Sequence, residues 1–387
     1  MAAITKLLRR PPGLRILICP VLLAMAAQSP YRATIPPEQP AIQYAAGPTA
    51  DPATKLDCSA PLDLSALLKA LHIDSSSQAL VFAKDSFQAS RISPRNPRAI
   101  YFTDDVAVGW VRGSSDLEIA STDPRLGPIF YKYSTATGRL TRDNACLHCH
   151  QGAATLGVPG IFVGSVFPDS GGMPSRDGAI ITDHRTPFAD RWGGWYVTAL
   201  HGEQPDRANG VAPDPAEPRV IANNGKRNLA SLAKAVNLAG YLEPTSDIVA
   251  LMTFEHQTQM TNLMTRLAWE TRIAEADHKP LPDVEEIVAY MTFRDEVPLP
   301  EPVEGASRFA ADFARRGPLR EFDLRTRLFR DPLSYMIYSA QFDALPASVR
   351  WRIYRRLFDE LRAKSPETIE ILRKTKPDLP EYWRTHE

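Results

Sequence analysis

Between residues 79 and 134 the chain alternates between short β-branched and aromatic runs and clusters of turn formers. The runs are ALVFAK, RAIYFT, VAVGWV, LEIAST and PIFYKYS, separated by Asp, Gly, Pro and Ser. Runs of this length bounded by such residues predict strands, at least four of them, joined as a meander of hairpins. Arg112-Gly113-Ser114-Ser115 is the clearest turn, with Asp123-Pro124 marking another. Ahead of the strands, Leu64, Leu67, Leu68 and Leu71 recur at helical spacing and predict a helix within 59–75. Behind them, GVPGIFVGSVFP concentrates Gly157, Pro159, Gly160 and Gly164, which a stable helix does not tolerate. Further strands are expected at 179–182 and 195–200.

From about residue 228 the period becomes helical. NLASLAKAVNLAGYL predicts a short helix, and SDIVALMTFEHQTQMTNLMTRLAWETRIAEA a long one over 246–276, with Ser246 or Thr245 as its N-cap. LPDVEEIVAYMTF, REFDLRTRLF, ASVRWRIYRRLFDEL and PETIEILRK follow as further helices. In the third of these four, Val349, Ile353, Tyr354, Leu357, Phe358 and Leu361 form one apolar stripe. The expected fold is α+β, with an antiparallel β-rich N-terminal half and a helical C-terminal half packed on it.

Composition changes this picture mainly at the N-terminus. Lys6, Arg9, Arg10 and Arg15, with no acid among them, precede the apolar run ILICPVLLAMA, and Ala24-Met25-Ala26 offers a cleavage site. That is the plan of a secretory signal peptide over 1–26. Residues 27–57 are Pro- and Ala-rich without periodicity and read as a tether. The remainder divides into a β-rich region, 58–227, and a helical region, 228–387, expected to form one continuous globular unit. Lys plus Arg equals Asp plus Glu, 45 each, so no basic excess points to nucleic acid. The expected location is periplasmic or secreted, with membrane contact only if the signal segment is retained. Cys19 falls in that segment, leaving Cys58, Cys146 and Cys149, and Cys58 is expected to be a small, unpaired buried residue.

The chemistry concentrates in DNACLHCHQG, residues 143–152. Cys146-Leu147-His148-Cys149-His150 fits C-x-x-C-H, the pattern at which haem c is attached through two thioethers. Two thiols on one helical turn reach the two vinyl groups, and His150 then presents its imidazole to the iron as proximal ligand. His148 reads as a bystander. A zinc site shared with two further histidines and a Cys146–Cys149 disulfide are the alternatives, but His184 and His201 lack a zinc-site spacing.

CLHCH, GVPGIFVGSVFPD and HRTPFADRWGGWYVTALHG together resemble a group of bacterial c-type cytochrome-domain proteins of unassigned function. SSSQALVFAKDSFQ, PRAIYFTDDVAVGWV and the helix containing LMTFEHQTQM extend the resemblance over most of residues 75–350. It implies a single covalent haem, secretion and redox work, and names no substrate. A strand-rich setting for the motif excludes a small all-helical cytochrome c.

The sixth iron ligand decides between functions. Met252, His256, Met260, Leu263 and Leu267 share one helix face, so His256 is the first distal candidate and Met260 the second. Arg185 and Arg191, around His184, are candidate partners for the haem propionates. Electron transfer to an unnamed redox partner needs only the parts in view. An open sixth site would instead make the chain a haem enzyme of peroxidase or oxidase type, or a small-ligand sensor. A structural haem in an interaction module is the third possibility.

Overall fold

The computed structural model describes residues 22–23, 40–176, 178–214, 216–223 and 225–384, with Leu22, Leu23 and Ala46 described by their backbone alone. The expected signal peptide therefore lies outside the described residues, except that Leu22–Leu23 (β1) run parallel to Thr141–Arg142.

Residues 40–57, expected as tether, are packed. Helix α1 (Pro40–Ala46) buries Tyr44, whose hydroxyl donates to Pro128 O at 2.7 Å. Asp51 is fully buried; its carboxylate accepts from Tyr131 OH at 2.7 Å and from Ala53 N at 3.1 Å. A Pro/Ala-rich stretch without periodicity carries no amphipathic signal, yet single aromatic and acidic anchors suffice to order it. Deleting residues 40–57 is expected to lower the urea unfolding midpoint, because Tyr131 and Asp123 lose partners and apolar surface is uncovered. An unchanged midpoint would return the segment to the role of a tether.

Helix α2 (Leu64–Ala70) starts at Asp63, whose carboxylate caps Ala66 N at 2.8 Å. The meander follows as β2 (Ala79–Val81), β3 (Arg98–Phe102), β4 (Val106–Val111), β5 (Asp116–Asp123), β6 (Gly127–Ser134) and β7 (Arg139–Arg142). Each pairs antiparallel with the next, so sequence neighbours are sheet neighbours. After α3 (Leu147–His150), β8 (Val163–Ser165) and β9 (Ile180–Thr182) form their own hairpin, and β10 (Trp195–Tyr196) joins the main sheet beside β2. β11 (Ala199–Leu200) pairs with β12 (Glu304–Gly305).

Strand alternation sends residues to two cores. Leu80, Ala99, Tyr101, Val108, Leu117, Ile119, Tyr131 and Tyr133 pack with α2 and residues 232–241. Val81, Ile100, Phe102 and Ala107, on the opposite face, pack against α4 (Ile248–Ala276) and the C-terminal helices. Those are α5 (Glu285–Met291), α6 (Phe309–Ala314), α7 (Ala340–Asp343), α8 (Ala347–Lys364) and α9 (Pro366–Thr375). The architecture is α+β, with its antiparallel sheet in the N-terminal half and its helices in the C-terminal half.

α4 lies between sheet and helices and is buried on every side over most of its length. Its polar side chains therefore bond inward: Gln257 Nε2 donates to Thr103 O at 2.6 Å, and Gln257 Oε1 accepts from Tyr335 OH at 3.0 Å. Its N-cap is Asp247, which accepts from Val249 N at 2.8 Å, while Ser246 is diverted to Leu80 N and Tyr196 O.

Two expected helices do not form. In 228–242 the N–H of Leu232 bonds Pro244 O at 2.8 Å, and left-handed turns at Asn228 and Gly240 bound the segment. Its leucines still fill the core without helical backbone. In 320–329, Phe322 bridges Phe329 in antiparallel fashion and Leu324 is left-handed, so the segment folds as a tight hairpin.

Candidate functional site

The C-x-x-C-H turn grows out of the sheet. β7 ends at Arg142, Asp143 Oδ1 caps Ala145 N at 3.0 Å, and a single 3-10 turn over Asn144–Cys146 runs straight into α3. Leu147 anchors it against the core that packs on α2. Cys146 is half-buried, Cys149 is exposed, and both thiols are unpaired. Burial, reinforced by Asp143 and Glu118, pushes the Cys146 thiol up to about 12.

His150 is fixed by a reciprocal latch. Its Nδ1–H donates to Gly160 O at 2.9 Å, and Gly160 N–H donates back to His150 O at 2.9 Å. The loop is held in turn by α4: Asn262 Nδ2 donates to Ile161 O at 2.8 Å and Asn262 Oδ1 accepts from Ile161 N at 3.1 Å. Only glycine fits at 160, since a Cβ there would lie 2.2 Å from Asn262 Oδ1. The imidazole is flanked by Phe130 at 4.8 Å and Phe162 at 5.5 Å between ring centroids. Burial lowers the His150 pKa to about 4, so the ring is neutral at pH 7, with Nδ1 committed and Nε2 left as the lone-pair nitrogen.

The sheet face carrying Phe130 also carries charge. Register places Gly109 opposite both Ile100 and Glu118, Glu118 opposite Lys132, and Ala120 opposite Phe130. Arg98, two residues before Ile100, shares that face and pairs with Glu118 at 3.1 Å. Gln88 Nε2 adds a donor to Glu118 at 3.3 Å.

The other expected site residues gather elsewhere. His256 is fully buried; its Nδ1 shares a hydrogen bond with His184 Nδ1 at 2.9 Å and its Nε2 shares one with Ser334 Oγ at 2.8 Å. Tyr290, Phe293, Phe329 and Tyr335 surround the pair, and none of these rings touches His150. Asn262, which holds the His150 loop, lies six residues along α4 from His256, about 9 Å of rise and on a different side of the helix. Met260 is buried in the α4 core. Arg191 is buried against Glu255 at 3.3 Å and donates to Thr186 O and His184 O at 2.8 and 3.1 Å. Arg185 forks onto Asp183 and lies over Tyr290 at 4.8 Å. The structure thus assembles His184, His256 and Arg191 into one buried polar cluster, with the half-exposed Arg185 at its edge, separate from Cys146, Cys149 and His150. Cys58 is half-buried and disulfide-bonded, which corrects the expectation of an unpaired buried residue.

Among the described residues no group of three or more His, Cys, Asp or Glu side chains is placed to hold a metal ion, so the zinc alternative finds no ligand set there. The unpaired thiols equally leave the Cys146–Cys149 disulfide unformed. No family model, curated protein or solved structure matches the chain.

Sequence reasoning passed over Arg98, Glu118 and Asn262. Gly109 inside the strand run VAVGWV was the available signal, because a glycine within a strand marks a close approach by another group.

Proposed function

We propose that the chain is a c-type haem protein, with Cys146 and Cys149 forming the thioethers to one haem and His150 Nε2 as its axial ligand. The latch between His150 and Gly160 carries this reading. A ligating imidazole needs its Nδ1–H fixed by an acceptor so that Nε2 faces the metal with the correct tautomer, and a backbone carbonyl serves that role well. The residues present fit the group: two unpaired thiols on one turn, an oriented neutral histidine, and flanking aromatic rings. The bound haem supplies an iron that binds small ligands and exchanges single electrons. The protein's own contribution is to fix His150 through Gly160 and Asn262, and to set a charged sheet face close to it. Covalent attachment of haem c places the protein on the periplasmic or secreted side, in keeping with the N-terminal pattern.

The open-site reading, a ligand-binding protein or haem oxidoreductase, is better supported than an electron carrier with two strong axial ligands. His256 and Met260 are the distal candidates, and His256 has both ring nitrogens engaged in another cluster. The test is an absorption spectrum of the exported protein, oxidised, reduced, and reduced under carbon monoxide. A reduced c-type spectrum that shifts under carbon monoxide is expected. A spectrum unmoved by the gas would hand the function to electron transfer. An exported chain without haem absorption, from a host able to attach it, would defeat the haem reading itself.

A further inference from the structure

We infer that Arg98 is the residue that grips a haem propionate, with Glu118 as the counter-ion that keeps its guanidinium at the site. This rests on the haem reading and supplies the anion-binding residue that Arg185 and Arg191 do not. Those two are satisfied internally by Asp183, by Glu255 and by backbone carbonyls. Arg98 is only partly so: its Nε is buried without a hydrogen-bond partner, its contact with Glu118 runs through one terminal nitrogen alone at 3.1 Å, and the nearby Asp85 carboxylate acts on it electrostatically. A guanidinium offers five donors in a planar fork suited to a carboxylate, so a half-satisfied one beside an attachment motif is a site wanting an anion.

Three further observations agree. Gly109 leaves the guanidinium room to lie across β4, since a Cβ there would stand 2.7 Å from Arg98 Nε and 2.8 Å from its Nη2. Arg98 and Glu118 also share their sheet face with Phe130, whose ring lies 4.8 Å from that of His150, which sets the pair beside the same attachment site. Glu118 keeps Gln88 Nε2 as a second donor at 3.3 Å, so Arg98 is able to share a second carboxylate without stranding the first. Arg98 and Glu118 are only 19% and 24% exposed, which limits screening by solvent.

The experiment is a redox titration of haem-loaded wild type, Arg98→Leu and Glu118→Gln, with haem staining after denaturing electrophoresis as a separate readout. All three are expected to stain, because attachment depends on the cysteines. The midpoint potential is expected to fall in Arg98→Leu, where an uncompensated propionate favours ferric iron, and to rise in Glu118→Gln. If Arg98→Leu fails to fold, Gly109→Ala decides, since its added Cβ displaces the guanidinium while leaving the charge; a lowered potential is again expected. Stained proteins whose potentials equal that of the wild type would overturn the role of Arg98 and leave the haem reading standing. A wild-type chain that does not stain would take both down. A merely structural role would weaken the fold without moving the potential in opposite directions for the two charges.

Discussion

Cys146→Ala and Cys149→Ala are each expected to lose the fully attached haem, and the double variant to lose all haem staining on a denaturing gel. The loss should not come from misfolding. Cys149 is exposed and Cys146 only half-buried, so removing either sulfur costs the fold about 0.5 kcal/mol or less. Urea unfolding of the haem-free chains should therefore show midpoints close to one another. His150→Ala separates ligation from attachment: the band should persist while the absorption spectrum changes, because the thioethers do not pass through the imidazole. Asn262→Ala is a milder version of the same change. It frees the 160–161 loop and with it the carbonyl that orients His150. Full staining in both single cysteine variants and in the double variant would remove the basis for a covalent haem.

The sheet was legible because its signal is local. Alternating β-branched and aromatic runs between Gly, Pro and Asp leave little choice but a meander, and the pairing of each strand with its neighbour follows. The long helix was equally legible in extent, but not in what it faces. A stripe containing His256 and Met260 predicts one buried side, whereas α4 is buried nearly all round, between a sheet face and the helices that follow it. With no exposed side to orient the helix, periodicity carries no information about which residues meet the motif. Asn262 does, through a loop distant in sequence, and nothing local announces it. The competition at the N-cap was lost in the same way: Ser246 is a good cap by type, but the sheet claims its hydroxyl and Asp247 takes the role. Segments 228–242 and 320–329 have helix-compatible composition, but the bond from Leu232 N to Pro244 O, and those from Asp323 N to Leu328 O and Arg330 N to Glu321 O around the Phe322–Phe329 bridge, override it.

His256→Ala is expected to leave the haem spectrum unchanged and to cost about 3–5 kcal/mol of stability. The side chain is fully buried among aromatic rings, so truncation leaves a cavity; it strands His184 Nδ1 and leaves the Ser334 hydroxyl with Met336 N alone. His184 Nε2 already lacks a partner, so the variant leaves that ring with no hydrogen bond from either nitrogen. The same burial sets a pH dependence. It holds His184 and His256 well below their ordinary values, so below about pH 6.5 the unfolded chain binds protons that the folded chain refuses. Stability therefore falls with acid, at about 1.4 kcal/mol per pH unit for each histidine. Glu255 works in the opposite sense: burial raises it to about 7 against the pull of Arg191. Between its unfolded value near 4.3 and about 7, the folded state binds the proton more tightly, and acid adds stability. His150, lowered to about 4 by burial, adds a third histidine on the acid-destabilising side, while Asp105, raised to about 6, acts with Glu255. Removing His256 takes one group off the acid-destabilising side. The stability lost between pH 7.5 and pH 5.5, read from urea midpoints, should therefore be smaller in His256→Ala than in the wild type by about 1.4 kcal/mol. A variant of wild-type stability with an altered haem spectrum would instead make His256 an iron ligand, and would restore the electron-transfer reading.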